Sequence, residues 1–454
     1  MDIAKVLSEV NSFVWGPYML FFLVGTGVFL TVRLKFLPWR NLWYAIGLIT
    51  KKEKSSEGDI TPFQSLMTAL SATVGTGNIV GVATAIVLGG PGALVWMWIS
   101  AAFGLSTKYA ESVLAVKYRV KKDNGKVYGG PMYALERGLG WKKMAVLFSV
   151  FTAVAAFGIG NTVQANAIAT LTHETYSVSP TVSGAVIALM AGLVILGGIK
   201  SIARVCEMLV PFMAFFYVIG CIVILIMNGE YVWPALKLIC ESAFTPEAAG
   251  GGFVGTTVMM AARFGIARGL FSNESGMGSA PIVASAAKTR NPVRQALVSS
   301  SGTFWDTVVI CALTGLVIVS SVIAYPDISY DNGATLTKLA FSKIPYIGSP
   351  LLTFGLLTFA FSTILGWELY GERAIEYLKG GRWTICYRIV YIIFIFIGAV
   401  MNLGIVWNIA DCMNALMAIP NLLCLLFLSN VIVKETREYL WNKQLDKDME
   451  EDFS

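Results

Sequence analysis

Apolar runs of about 20 residues recur along this chain, the length that spans a hydrocarbon core of roughly 30 Å. Nothing else in the sequence limits its fold as strongly. Of its 454 residues, 56% are hydrophobic and only 14% charged, whereas a soluble domain carries roughly 25% charged residues. Such a chain cannot cover a water-facing surface of ordinary polarity, so the lipid bilayer is its expected partner. Eleven membrane helices are predicted, near 13–33, 63–88, 92–118, 144–170, 181–199, 203–228, 254–287, 296–324, 350–378, 384–402 and 408–433. The segment ahead of the first run, MDIAKVLSEV, has two acids against one lysine and lacks the basic flank of a secretion signal. The first run is therefore expected to be a membrane helix. The seven cysteines show no metal-ligand spacing and are expected to be small core residues.

The net charge of +6 is unevenly spread. Alternate connections hold Arg33, Lys35, Arg40, Lys51, Lys52 and Lys54; the stretch from Lys117 to Lys143; Lys200 and Arg204; Lys288, Arg290 and Arg294; and Arg373, Lys379 and Arg382. The opposite side holds Lys5, Lys237, Lys338 and Lys343. By the positive-inside rule the amino terminus is outside and the tail 434–454 is cytoplasmic. No nucleic-acid partner is read from this charge.

Two segments are interrupted. The second contains Ser71-Ala-Thr-Val-Gly75-Thr-Gly77-Asn78-Ile-Val-Gly81, and the seventh Gly269-Leu-Phe-Ser-Asn-Glu274-Ser-Gly276-Met-Gly278-Ser-Ala-Pro281. Each glycine costs a helix interior roughly 1 kcal/mol against alanine, and irregular backbone inside a membrane must be buried in protein or line a watery cavity. The breaks lie five segments apart, so the two segments cross in opposite directions. The predicted organisation is one transporter domain, 1–454: an extra first helix, an inverted repeat over 63–228, and its counterpart over 254–433. Paired breaks in inverted halves point to the binding site of a secondary transporter.

A broken helix frees N–H groups that suit a carboxylate and carbonyls that suit a cation. The N–H groups of Thr76, Gly77 and Asn78 form the candidate carboxylate cradle. Carbonyls near Ser71 and Val74, with the hydroxyls of Ser362 and Thr363, form a candidate sodium cage. The hydroxyls are equally open to the reading that they bond their own backbone one turn back. Phe157 and Gln164 lie about two turns apart and can share a face; the amide suits a zwitterion or an interhelical contact. Phe157, Phe271, Met277 and Trp367 either wall a small cavity or pack the core. Ionisable groups within spans are functional hypotheses by default. Among them Glu274 either tunes the site, as a candidate coupling residue, or anchors the break. Lys108 and Glu111 are placed to pair on one helix, Glu372-Arg373 reads as structural, and Asp411 has no evident partner. The lone histidine, His173, sits in a connection, and no catalytic motif is present, so an enzyme is not expected.

The stretches GTGNIVGVATAIVLGGPGA, GNTVQANAIA, RGLFSNESGMGSAP and FSTILGWELYGERA resemble the alanine or glycine:cation symporter family over essentially the whole chain. The resemblance implies an all-α LeuT-like fold of five plus five inverted helices, 2–6 and 7–11, with segments 2 and 7 broken. It implies sodium-driven uptake of L-alanine, glycine and D-alanine, with sodium as coupling ion and no other cofactor. It places Thr76, Gly77, Asn78, Phe157, Gln164, Phe271, Asn273, Met277, Gly278 and Trp367 around the amino acid. It places Ser71, Val74 and Phe359 carbonyls with the Ser362 and Thr363 hydroxyls around sodium. Proton coupling through Glu274 is the alternative.

Overall fold

In a computed structural model, residues 9–448 are described, apart from 12, 52–56, 123–124, 246–256, 329–331, 402–403 and the side chains of 404–408. Lys5, Lys52, Lys54, the start of the seventh segment and the end of the tail therefore lie outside the described residues. The helices are α1 Pro17–Arg33, α2 Pro62–Thr73, α3 Val80–Gly89, α4 Ala93–Lys117, α5 Lys142–Tyr176, α6 Pro180–Ile195, α7 Ile199–Met227 and α8 Gly229–Ser242. They continue with α9 Val258–Asn273, α10 Ala280–Ala284, α11 Pro292–Ala324, α12 Gly333–Ser342, α13 Gly348–Lys379, α14 Thr384–Val400, α15 Gly404–Phe427 and α16 Ser429–Thr436. Six helices among the described residues are long and apolar enough to cross a membrane. Large side chains such as Met208 and Phe215 on α7, and Phe21 and Leu193 on the shorter apolar helices α1 and α6, are exposed, as a lipid-facing surface requires.

Both interrupted segments are broken. α2 starts at a capping box, Thr61 accepting from the Gln64 N–H and Gln64 from the Thr61 N–H, and stops at Thr73. Val74 leaves the helix at φ -78° and ψ 89°, Gly75 is extended, and one 3₁₀ turn, Thr76–Asn78, leads into α3. The expected helix 254–287 is divided likewise. α9 ends at Asn273; Glu274, Gly276 and Gly278 turn the chain with φ of 56°, 95° and 82°; and α10 follows. A Cβ at Gly278 would stand 2.8 Å from Phe148 and Pro131, so glycine is required by space as well as by φ.

Two groups of helices sit around the breaks. α4 packs along α9 and the first half of α11, while α5 and α13 pack on each other and α13 also lies against α2. π-helical turns interrupt α5 at Gly158–Thr162 and α11 at Phe304–Cys311. Unpredicted elements are α8, α12, short helices at Leu37–Arg40 and Leu42–Ile49, and an antiparallel hairpin of β1 Val120–Lys121 with β2 Val127–Tyr128. Described residues of the segment after Lys434 are docked on the helices. Tyr109 bonds Thr436 at 2.9 Å, Arg294 meets Asp446 at 2.8 Å, and Asn291 donates to the Leu445 carbonyl at 2.8 Å.

Candidate functional site

The break between α2 and α3 is held by one side chain. Asn78 Oδ1 accepts from the Gly75 N–H at 2.9 Å, and its amide donates to Asp306 Oδ1 at 2.7 Å. Asp306 also accepts from Ser272 at 2.9 Å and Thr307 at 2.7 Å, tying α2/α3 to α9 and α11. The Asn78 N–H donates to the Gly75 carbonyl at 3.2 Å, which leaves a cradle of two groups. Among the described residues nothing accepts from the N–H of Thr76 or Gly77. Thr76 and Gly77 border a cavity of about 560 Å³, shared with Phe271, Arg268, Asn166 and Thr353. Glu174 and Lys338, an exposed ion pair at 2.6 Å, border the same cavity.

One turn before the cradle, five oxygens converge. Ser362 Oγ lies 3.3 Å from the Ser71 carbonyl, and Thr363 Oγ1 lies 3.4 Å from the Val74 carbonyl. Both hydroxyls also donate to the Phe359 carbonyl at 2.9 Å. The two readings of these hydroxyls are thus compatible: they bond their own helix and face the break of α2. Close approach needs two glycines. A Cβ at Gly75 would fall 2.5 Å from Thr363 Oγ1, and one at Gly366 would fall 2.7 Å from Ser71 Oγ. Hard oxygen donors of this kind suit Na⁺ as they suit other hard cations.

The remaining predicted residues stand elsewhere in this conformation. Phe157 packs edge-on to Tyr387 and Phe394, centroids 5.1 and 4.9 Å apart. Gln164 donates to the Ile159 carbonyl at 3.0 Å, while its buried oxygen has no partner among the described residues. A π turn, Gly158–Thr162, lies between them and departs from the ideal-helix spacing on which the two-turn reading rests. Trp367 covers that turn, where a Cβ at Gly160 would fall within 2.0 Å of it. Asn273 bonds Thr307 at 3.1 Å, Met277 is fully buried, and Gly278 donates to Glu111. None of the six borders the cavity.

The charged residues within the spans have partners that spacing alone does not show, and for Lys108, Glu111 and Asp411 these correct the expectation. Lys108 and Glu111 form no ion pair with each other; both reach the α9/α10 break, Lys108 to the Asn273 carbonyl at 2.7 Å and Glu111 to the Gly276 N–H at 3.0 Å. Glu372 pairs with Arg388 at 2.6 Å, while Arg373 turns to Asp59 at 3.6 Å and Glu376 at 3.4 Å. Asp411 does have partners, the Asn11 amide at 3.0 Å and, through its carbonyl, the Trp15 indole at 3.2 Å. Glu274 accepts from Ser279 at 2.5 Å across the break. Sequence reading did not place Arg268 at the cavity, although it opens the RGLFSNESGMGSAP stretch, and it missed Asn421 as a partner of Glu111, since Asn421 lies in no glycine-rich stretch.

The end opposite the cavity mouth is closed. Asp59 donates its N–H to the Ala286 carbonyl at 2.8 Å, Lys288 to the Ile60 carbonyl at 2.8 Å, and Arg119 to the Ala287 carbonyl at 3.1 Å. Arg373 stacks over Tyr128 of the hairpin, 4.3 Å from its ring centroid.

Comparison with known proteins bears on the family and the fold. A model of the sodium:alanine symporter family matches residues 1–453. The sodium/alanine symporter AgcS of Methanococcus maripaludis is 52% identical, over 97% of this chain and 98% of that protein. An uncharacterized transporter of Haemophilus influenzae is 51% identical, over 97% and 96%. Among solved structures, that of MhsT in complex with L-phenylalanine superposes with a TM-score of 0.60 at 14% identity, over 86% of this chain and 96% of that one. At that identity the likeness speaks for the fold, an all-α LeuT-like arrangement.

Proposed function

The chain belongs to the sodium:alanine symporter family, and from that premise we propose that it couples sodium entry to uptake of small neutral amino acids, L-alanine, glycine and D-alanine, by alternating access. It is a multi-pass membrane protein of transporter type. One observation carries the substrate and ion reading. Thr76 and Gly77, whose N–H groups have no partner among the described residues, border a cavity, and the carbonyls of Ser71 and Val74 on the same broken strand of chain lie against the Ser362 and Thr363 hydroxyls. The amino-acid carboxylate takes the two N–H groups, and sodium takes the oxygens of residues 71, 74, 359, 362 and 363. Sodium bound there stiffens the strand that carries the cradle, so the ion raises the affinity for the amino acid and the amino acid that for the ion. Phe271 borders the cavity; Phe157, Gln164, Asn273, Met277, Gly278 and Trp367 close around the ligand as the two helix groups rock.

The basic connections support an outside amino terminus and a cytoplasmic carboxyl terminus, which places the cavity mouth at Glu174 and Lys338 outside. One sodium moving down about 100 mV contributes roughly 2.3 kcal/mol, and a tenfold gradient adds about 1.4 kcal/mol. Together, about 3.7 kcal/mol sustains accumulation on the order of 500-fold.

Uptake of labelled alanine into proteoliposomes tests this. An overshoot above equilibrium with an inward sodium gradient, and none with potassium in its place, is expected. Equal uptake in both salts overturns sodium coupling. If a pH gradient then drove uptake, coupling would pass to protons and Glu274.

A further inference from the structure

A helix broken inside a membrane leaves N–H groups without partners where its second half starts and carbonyls where its first half ends. This chain has two breaks and treats them differently. At α2/α3 the Thr76 and Gly77 N–H groups donate to nothing described, and the Ser71 and Val74 carbonyls meet only neutral hydroxyls, at 3.3 and 3.4 Å. At α9/α10 both kinds of group are met by full charges from one helix. Lys108 Nζ donates to the Asn273 carbonyl at 2.7 Å, and Glu111 Oε1 accepts from the Gly276 and Gly278 N–H groups at 3.0 and 3.1 Å. The two side chains stand nearly one turn apart on α4, 3% and 2% exposed.

We propose that Lys108 and Glu111 are a tethered cation and a tethered anion filling the α9/α10 break as sodium and an amino-acid carboxylate fill the α2/α3 break. The second break therefore takes no exchangeable ion, and uptake is first order in sodium. The inference rests on the sodium reading above. Three further observations support it. Thr73, Asn273 and Ser299, oxygen-bearing residues of three elements, border the space beside Lys108, a donor set that suits sodium once the ammonium is withdrawn. The ammonium interacts electrostatically with three buried carboxylates, Glu111, Glu274 and Asp306, so its removal leaves that pocket short of positive charge. Asn421 bonds Glu111 Oε1 at 2.7 Å and the Gly276 carbonyl at 2.9 Å, which holds the carboxylate in place as a fixture of the fold. Lys108 and Glu111 are positioning residues; neither borders the cavity.

The test is the sodium dependence of alanine uptake in proteoliposomes for the full chain and for Lys108→Gln and Lys108→Arg, each checked for a monodisperse elution profile. The unsubstituted protein is expected to show a Hill coefficient near one. In Lys108→Gln the vacated place is refilled from solution, so the coefficient rises towards two and the half-saturating sodium concentration rises roughly tenfold, within the usual range of coupling between sites. Lys108→Arg keeps the charge and keeps the order of one. A residue of purely structural importance would lower the amplitude in Lys108→Gln and leave the order unchanged, and that result overturns the proposal. A coefficient of two in the unsubstituted protein also overturns it, leaving sodium symport intact, and decides the matter if Lys108→Gln does not fold. Uptake indifferent to sodium in the unsubstituted protein removes both readings.

Discussion

Two adjacent hydroxyls, on Ser362 and Thr363, each bridge a carbonyl of their own helix and a carbonyl of the broken segment. An oxygen donor lost from a bound ion costs about 1.5–3 kcal/mol, the range for bonds to charged groups, or about 10- to 100-fold in affinity. Thr363→Val keeps the shape and removes the donor. It is expected to raise the half-saturating sodium concentration by about that factor, while the KM for alanine at saturating sodium changes little; an unchanged sodium requirement would remove Thr363 from the cage. Gly75→Ala attacks the same place from the backbone side, because its methyl would fall 2.5 Å from Thr363 Oγ1. Sodium-stimulated uptake by Gly75→Ala is expected to be lost, and uptake at the unsubstituted rate would mean that α2 and α13 need not approach so closely. These residues were legible in the sequence because polar groups inside an apolar run require a reason. The register of Phe157 against Gln164 was not, since one π turn changes a helix face without changing composition.

The breaks are elements in their own right, and glycine placement made both of them readable. Their internal wiring was not readable: Lys108 and Glu111 suggest a pair by spacing, yet each goes to the backbone of a segment about 165 residues away. No local pattern records such a contact. The polar-ended helices α8 and α12 and the β1–β2 hairpin escaped for a related reason, being too short or too mixed in polarity for a membrane period to mark them. The α9/α10 break should be intolerant of a side chain where the chain turns with positive φ. Gly278→Ala combines φ of 82° with contacts of 2.8 Å to Phe148 and Pro131, and a strained residue of this kind costs about 1–3 kcal/mol before the clash is counted. Gly25→Ala, in α1 with nothing within 4 Å of the new methyl, should be neutral or stabilising by up to about 1 kcal/mol. Thermal melts of the detergent-solubilised variants check the contrast; equal melting temperatures would mean that the break is softer than its geometry implies.

At the scale of the molecule, the cavity beside Thr76 and Gly77 lies at one end and a packed polar closure at the other, an arrangement that the proposed alternating access would reverse. The closure has a charged centre: Arg373 sits 3.6 Å from Asp59, with side chains 6% and 8% exposed. Asp59 also accepts from the Val127 N–H of the hairpin at 3.4 Å, so one carboxylate joins the start of α2, the hairpin after α4 and the end of α13. Removing one partner of a buried pair costs about 3–5 kcal/mol. If the pair exists only while this end is closed, that cost falls on the closed form alone, and every 1.4 kcal/mol of it shifts the population about tenfold towards the opposite opening. Asp59→Asn is therefore expected to slow maleimide labelling of a cysteine at Thr353, which borders the cavity, by about tenfold or more. The exposed Cys240 and Cys386 are first replaced by serine so that the label reports one position. Asp59→Asn combined with Arg373→Gln removes both partners of the pair, and part of the labelling rate should return. Labelling that stays at the original rate in Asp59→Asn, with the protein folded, would mean that the polar closure follows the rocking of the helix groups and does not help to set it.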